Sequence, residues 1–393
     1  MSFEQVAAVL NEVNAQATGA SAIDMVNTSE FVSVAQTVLN AGYDPVINAI
    51  TQVIGRNIFS NRPYNRKFRG FEMDRSRWGA IIRKFSPVDL RAENAIRFTM
   101  ADGEHPDMFE VNKPDVVQTN FYGQNVFDIQ LRSIFRDQLD SAFQGPDQFG
   151  EFYAMLTQNF NDVREQTIEN MSRMTINNMI AGKKAQALAG NNTGVIYLLD
   201  EYNEATGSNV DGTTVFSDAN FNSFARWLAG FVETLAGRMS ERSGLYQTQI
   251  IGKTINRHTP LEDLRVYLYA PLFNMIKTRV MTDAFNQDNL KIADTEMVNY
   301  WQSIEDPDTV VVTPVYMDGT GVLVTPDDEI VAGGVVGVLF DRDAMGINIK
   351  SEWQATSPFE ARGGYWNPWY HMDVQYTNDY TEKCAVLLLD KAN

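Results

Sequence analysis

DQFGEFYAMLTQNFNDVREQTIENMSRMTINNMIA, residues 147–181, is the stretch on which the fold turns. Apolar side chains recur at Phe149, Phe152, Leu156, Phe160, Val163, Ile168, Met171, Met174 and Met179, and spacings of three and four dominate. Asp147 follows Pro146 as an N-cap, and no proline interrupts the run. Gly182 is expected to end the helix, with Lys183 and Lys184 at the negative end of its dipole. Thirty-five helical residues would span about 52 Å, too long for a compact small domain. The pattern predicts a strut with one stripe laid on a sheet, its methionines serving as core filler.

Upstream of this helix the charge is uneven. Residues 56–97 hold eleven Lys/Arg against four Asp/Glu, a local +7 in a chain of net −18, so the remainder carries −25. The segment has too few apolar residues for its own core and reads as an extended loop or hairpin. Charge runs of this kind are usually solvated faces. Here the complementary charge lies on the same protein, which favours docking onto an acidic surface of another copy or of a partner. Before it, residues 1–55 read as an arm with two short helical stretches, one around Val6–Val13 and one over Phe31–Leu39, with Gly42 and Pro45 as punctuation. Residues 115–143 read as mixed strand and short helix.

Downstream, residues 190–216 are polar and glycine-rich, as a linker would be. A helix is expected over about 218–242 with Asp218 as cap. Strands are expected at Thr248–Ile251 and Leu264–Leu268, and Pro271 should open a helix running to about Asp283. Further strands are expected at Val310–Val315, Leu323–Thr325 and Val335–Phe340, completing an α/β block. The tail adds strands Ile347–Trp353, Met372–Tyr376 and Cys384–Leu389, with a loop at Gln354–Phe359.

The chain has 393 residues, 44% of them hydrophobic and 21% charged, which suits a globular protein of two or three domains and excludes bulk disorder. A net charge of −18 argues against a dedicated nucleic-acid binder. With Cys384 alone there is no internal disulfide and no cysteine metal cage. No apolar run approaches the roughly 20 residues of a membrane span, and Met1-Ser-Phe-Glu-Gln-Val has no basic region followed by an apolar stretch as a signal peptide would, so synthesis in the cytoplasm is expected. Gly252-Lys253-Thr254 ends like a phosphate loop, but Gln247 stands where its first glycine belongs. His105, His258 and His371 are far apart in sequence, and Cys384 sits in an apolar strand-like run as an inert thiol would. No catalytic constellation, cofactor site or metal site emerges, so the chain does not read as an enzyme.

The order of parts carries more than any motif. An arm, a basic excursion, a long helix, an α/β block and returning strands around Ser357-Pro-Phe-Glu-Ala-Arg-Gly-Gly-Tyr-Trp-Asn-Pro-Trp-Tyr-His371 together resemble the Hong Kong 97-type major capsid proteins of tailed bacteriophages, the last stretch being most similar to short-tailed phages. The resemblance implies an α+β fold divided into an N-terminal arm (1–55), an extended E-loop (56–120), a peripheral (P) domain (121–189) with its spine helix at 147–181, an axial (A) domain (190–345) and a return segment (346–393) completing the P-domain. It implies a shell of pentamers and hexamers of this chain enclosing double-stranded DNA without sequence-specific binding. It also implies a separate scaffolding protein, a portal protein, location in the virion and no membrane. Inter-subunit contacts are then expected at Arg62, Arg66, Lys67, Arg69, Arg75 and Arg77. No lysine–asparagine cross-link pair is identified, and no immunoglobulin-like decoration follows the last strand. An encapsulin-like compartment shell, or less favoured a soluble α/β enzyme, is the alternative.

Overall fold

A computed structural model describes residues 3–23, 25–54, 66–73, 82–90, 100–103, 105, 109, 111, 113, 115–121, 123–157, 160–280 and 294–391. The described chain runs α1 (Phe3–Thr18), α2 (Thr28–Asn40), α3 (Tyr43–Ile54), β1 (Ile82–Pro87), β2 (Val116–Phe121), β3 (Gln124–Gln130), β4 (Ile134–Phe135), α4 (Arg136–Ala142), α5 (Pro146–Thr157) and α6 (Phe160–Leu188). It continues through β5 (Val195–Tyr197), α7 (Leu198–Thr206), α8 (Phe221–Ser240), β6 (Leu264–Tyr269), α9 (Ala270–Val280), β7 (Asp294–Val298), β8 (Val310–Val312), β9 (Tyr316–Met317) and β10 (Leu323–Val324). Last come β11 (Ile330–Ala332), β12 (Val335–Asp341), β13 (Met345–Thr356), β14 (Tyr365–Trp366), β15 (Pro368–Asn378) and β16 (Cys384–Leu388). This is a mixed α+β architecture, and no described helix is long and apolar enough to cross a membrane.

A five-stranded sheet, ordered β5-β16-β12-β6-β7, forms the middle layer. Its central strands are buried on both faces, and alternation sorts them between two cores. Cys384, Val386 and Leu388 of β16, with Val338 and Phe340 of β12, join the cluster that contains α6. Ala385 and Leu387, with Leu339, join the cluster under α7, α8 and α9. The second main sheet, β13-β15-β3, is antiparallel and packs beside α3 and α6.

Several sequence expectations change. The helix expected over 147–181 is two described helices, α5 and α6, and α6 alone spans about 43 Å over 29 residues. It does not stop at Gly182. That glycine lies against the Tyr380 ring, whose hydroxyl occupies the space a Cβ would need, so the residue answers a packing demand rather than a capping one. Lys183 and Lys184 are consequently inside the protein, 0% and 6% exposed.

The described residues within 1–55 hold three helices where two were expected. Pro45 falls in the first turn of α3, where its missing N–H costs nothing. The three pack into the main core through Val6 and Leu10 of the first, Phe31, Val34 and Val38 of the second, and Ile47 and Ile50 of the third, so this part is a layer of the body. The expected linker at 190–216 contains β5 and α7, and β5 is a parallel partner of β16. Thr248–Ile251 is not a strand but part of a turn closed between Ile250 and Lys253. Asn220, without a side-chain cap bond, precedes α8, so Asp218 is not its cap. β13 extends through Thr356 into the expected loop. Finally, the returning strands divide: β13 pairs with β15 and β15 with β3, whereas β16 enters the five-stranded sheet.

Candidate assembly site

The basic excursion is described over 66–73 and 82–90. In the first part, Arg66 turns inward, 9% exposed at its side chain, between Glu72 and Glu165, the latter at 3.6 Å. Burial pulls its pKa below the usual arginine value, against the pull of Glu165. The next two residues are held by their backbones: Lys67 N donates to Glu169 Oε2 at 3.0 Å, and Phe68 N to the Glu296 carboxylate at 2.8 and 2.9 Å. Phe68 takes a left-handed conformation (φ 62°) that drives its ring into the core beside Tyr267, 5.2 Å between centroids. The Lys67 and Arg69 side chains stay exposed. Glu169 in turn pairs with Arg173 one turn along α6, at 2.7 Å.

The second part forms an antiparallel ribbon, β1 with β2, in which Lys84 faces Thr119 and Ser86 faces Val117. The ribbon's base is bound to the body by polar contacts. Lys84 Nζ donates to Asp379 Oδ2 at 2.7 Å and to Glu382 Oε1 at 2.5 Å. Burial works against the Lys84 ammonium, but the two carboxylates outweigh it and raise its pKa above the usual lysine value. Arg257 donates to Ser86 Oγ at 2.6 Å, and Arg242 to Asp89 Oδ1 at 2.6 Å. Asn256 N reaches the other Asp89 oxygen at 2.8 Å, and Lys253 meets Asp115 at 3.0 Å. Between ribbon and body lies a cleft of about 1190 Å³, lined by Arg83, Asp89, Arg242, Arg257, Asp341 and Glu382 among others.

Of the six residues expected at inter-subunit contacts, Arg62, Arg75 and Arg77 lie outside the described residues. Arg66 is engaged within its own chain, while Lys67 and Arg69 present their side chains outward. Sequence reasoning missed Lys84 as an anchor, because its partners lie 295 and 298 residues away. The aromatic turn is tied down by Trp366, 3% exposed, whose Nε1 donates to Asp44 Oδ1 at 2.8 Å. Trp369 is only half-buried.

Cys384 is buried, and burial pushes its thiol up to about 12. His371 Nδ1 lies 2.5 Å from Asp128 Oδ1, and its ring stacks on exposed Trp353 at 3.9 Å, a contact between strands of one sheet. Among the described residues no three His, Cys, Asp or Glu side chains converge as metal ligands.

Comparison with known proteins fits a structural role. The sequence matches the family described as Phi29-like phage major capsid protein over residues 6–388. Curated proteins give no match. Among solved structures, a chain of the capsid structure of Staphylococcus phage Andhra superposes with a TM-score of 0.52 at 12% identity, covering 84% of this chain and 86% of that one. A chain from the structure of the head fiber and inner core protein of native bacteriophage P68 gives 0.50 at 10% identity, covering 85% and 87%. At such identities the likeness is one of fold, and the fold is the Hong Kong 97-type capsid fold. The family match spans nearly the whole sequence, and this chain belongs to the Phi29-like phage major capsid protein family, the proteins from which a bacteriophage builds its shell.

Proposed function

We propose that this chain is the repeating subunit of an icosahedral shell around the double-stranded DNA of a short-tailed phage, arranged in pentamers and hexamers and acting without catalysis. The family match over residues 6–388 carries the reading. In it, residues 56–120 are an arm laid over the neighbouring subunit, α6 belongs to the spine of the peripheral region, and loops within 190–345 meet around the capsomer axes. Residues 1–55 and 346–393 brace the peripheral region. A separate scaffolding protein guides closure, a portal protein occupies one vertex, and the DNA is held without sequence readout. A chain of net −18 favours this last point, since an acidic wall does not bind phosphate. Synthesis takes place in the host cytoplasm.

The particle mass of the purified protein tests the proposal, by light scattering with negative-stain imaging. Closed particles of megadalton mass, formed alone or with co-expressed scaffolding protein, are the expected result. A small oligomer that stays small with that partner present overturns it.

A further inference from the structure

A cavity of about 160 Å³ lies at one end of the five-stranded sheet, where β6 passes into α9. Its walls are Phe216 ahead of α8, Leu272 and Met275 of α9, Val335 and Val336 of β12, and Leu389 after β16. All but Phe216 and Met275 are buried, and Phe216 is 37% exposed. Val336 stands where β12 shifts register against β16, between Val335 and Gly337. Bulges of this kind bend a strand and often flank binding sites. The backbone groups around Val335 are already paired: its N–H donates to Asp308 O at 2.8 Å, its carbonyl accepts from Trp301 Nε1 at 2.9 Å, and Leu389 N donates to Gly334 O at 2.8 Å. An apolar cavity of about 150 Å³ stays dry and takes up a ring the size of benzene. Polarity is confined to Asp308 and Tyr269, which complete the lining. The Asp308 carboxylate accepts from Thr309 Oγ1 at 3.4 Å, a long bond that leaves most of its acceptor capacity unused. Burial, with the charges of Asp308 and Asp306, raises the Tyr269 phenol above its usual value, so it keeps its proton at neutral pH.

We infer that this cavity binds a small aromatic molecule of one ring or two fused rings, neutral or cationic, with an N–H donated to Asp308. Three observations select that class. The volume admits a single ring fully and a fused pair with one edge at the opening. The walls offer a phenyl ring and a thioether, Phe216 and Met275, both good partners for an aromatic face or edge. The one charged group is a carboxylate, which repels an anion and strengthens a hydrogen bond from a donor. The inference concerns the single subunit and does not rest on the shell reading. A molecule seated there touches β12, α9 and the segment before α8 at once, so its binding stabilises the folded chain by mass action.

The test adds indole, its isostere benzofuran, which lacks the N–H, and benzoate to the full chain, read by ligand-observed NMR and thermal unfolding. Indole is expected to raise the unfolding midpoint with concentration and to bind about tenfold tighter than benzofuran. Benzoate is expected to bind more weakly than either. Asp308→Ala should bring indole down to the level of benzofuran. Met275→Trp fills the cavity and should abolish binding of both; if that variant does not fold, the Asp308→Ala comparison still decides. Indole that does not bind the wild type up to its solubility limit, or that binds Met275→Trp equally well, overturns the inference. Equal affinity for indole and benzofuran overturns the part given to Asp308. Indole bound by the free subunit but excluded from shells made of this chain overturns the choice of a free ligand in favour of a neighbour's side chain.

Discussion

The Lys84 ammonium donates to the Asp379 carboxylate at 2.7 Å, joining the base of the β1–β2 ribbon to the turn before β16 across 295 residues of sequence. Asp379 is 1% exposed and also accepts from Thr381 N and Oγ1, at 2.9 and 2.6 Å. Lys84→Met leaves buried Asp379 without its cation and Glu382 with Arg257 alone, at 3.3 Å, and a loss of about 3 kcal/mol is expected in urea unfolding at pH 7. Because the folded pKa of Lys84 is raised, this contribution is present at neutral pH and disappears as pH rises through that value, above the ordinary 10.5. A variant as stable as the wild type at pH 7 would show that the ribbon needs no such anchor.

Lys183 behaves in the opposite sense. It is fully buried on α6, and burial pulls its pKa down to about 8 from 10.5. Between these values the unfolded chain holds a proton that the folded chain does not, so stability rises with pH across that window. Lys183→Met is expected to be more stable than the wild type at pH 7, by about 3 kcal/mol at most. The difference should shrink toward pH 10.5, followed by denaturant titration at several pH values. A gap that does not change with pH refutes this account.

Gly182 and Tyr380 are coupled by contact. Gly182→Ala gains helix propensity but drives a methyl into the Tyr380 hydroxyl, and a net loss of about 1–3 kcal/mol is expected. Tyr380→Phe alone gives up hydrogen bonds to Val315 O and Asn178 O, at 3.1 and 3.2 Å. The double variant should be less destabilised than the sum of the two, which a thermal double-mutant cycle measures. Strict additivity would mean the two residues do not touch.

The two tryptophans of the aromatic turn should separate. Trp366→Ala empties a buried site and orphans Asp44, for about 3–5 kcal/mol, whereas Trp369→Ala should cost about 1 kcal/mol. Equal losses in calorimetry would mean that burial does not set their weights.

Charge reversal should separate in the same way. Arg66→Glu places a third carboxylate beside Glu72 and Glu165 and should lower the unfolding midpoint. Lys67→Glu with Arg69→Glu, on exposed side chains, should leave that midpoint within about 0.5 kcal/mol and instead reduce particle yield. Normal yield from the double variant counts against electrostatic steering by these two residues.

Much of this fold is written in local pattern. The apolar spacing of Phe160 to Met179 marks α6, and the run Cys384–Leu388 marks a buried strand. What escaped depends on distant partners. Gly182 carries a stop signal that Tyr380 overrides by packing. Pro45 looks like punctuation and instead starts α3. Nothing near β16 says that its neighbours are β5 and β12 rather than β13 and β15. For the assembly surface, composition reveals a basic excursion but not its division of labour: Arg66 and Lys84 serve the subunit's own fold, while Lys67 and Arg69 point outward. Ion pairs formed across hundreds of residues leave no trace in spacing.

The position of β16 has a consequence for how the subunit is made. Residues 384–388 leave the ribosome after the strands on either side of them, and until they arrive β5 and β12 face each other across an empty slot. A chain interrupted before Cys384 therefore keeps two raw sheet edges and has no finished middle layer. Such a product lacks the strand that joins β5 to β12, and its five-stranded sheet cannot close.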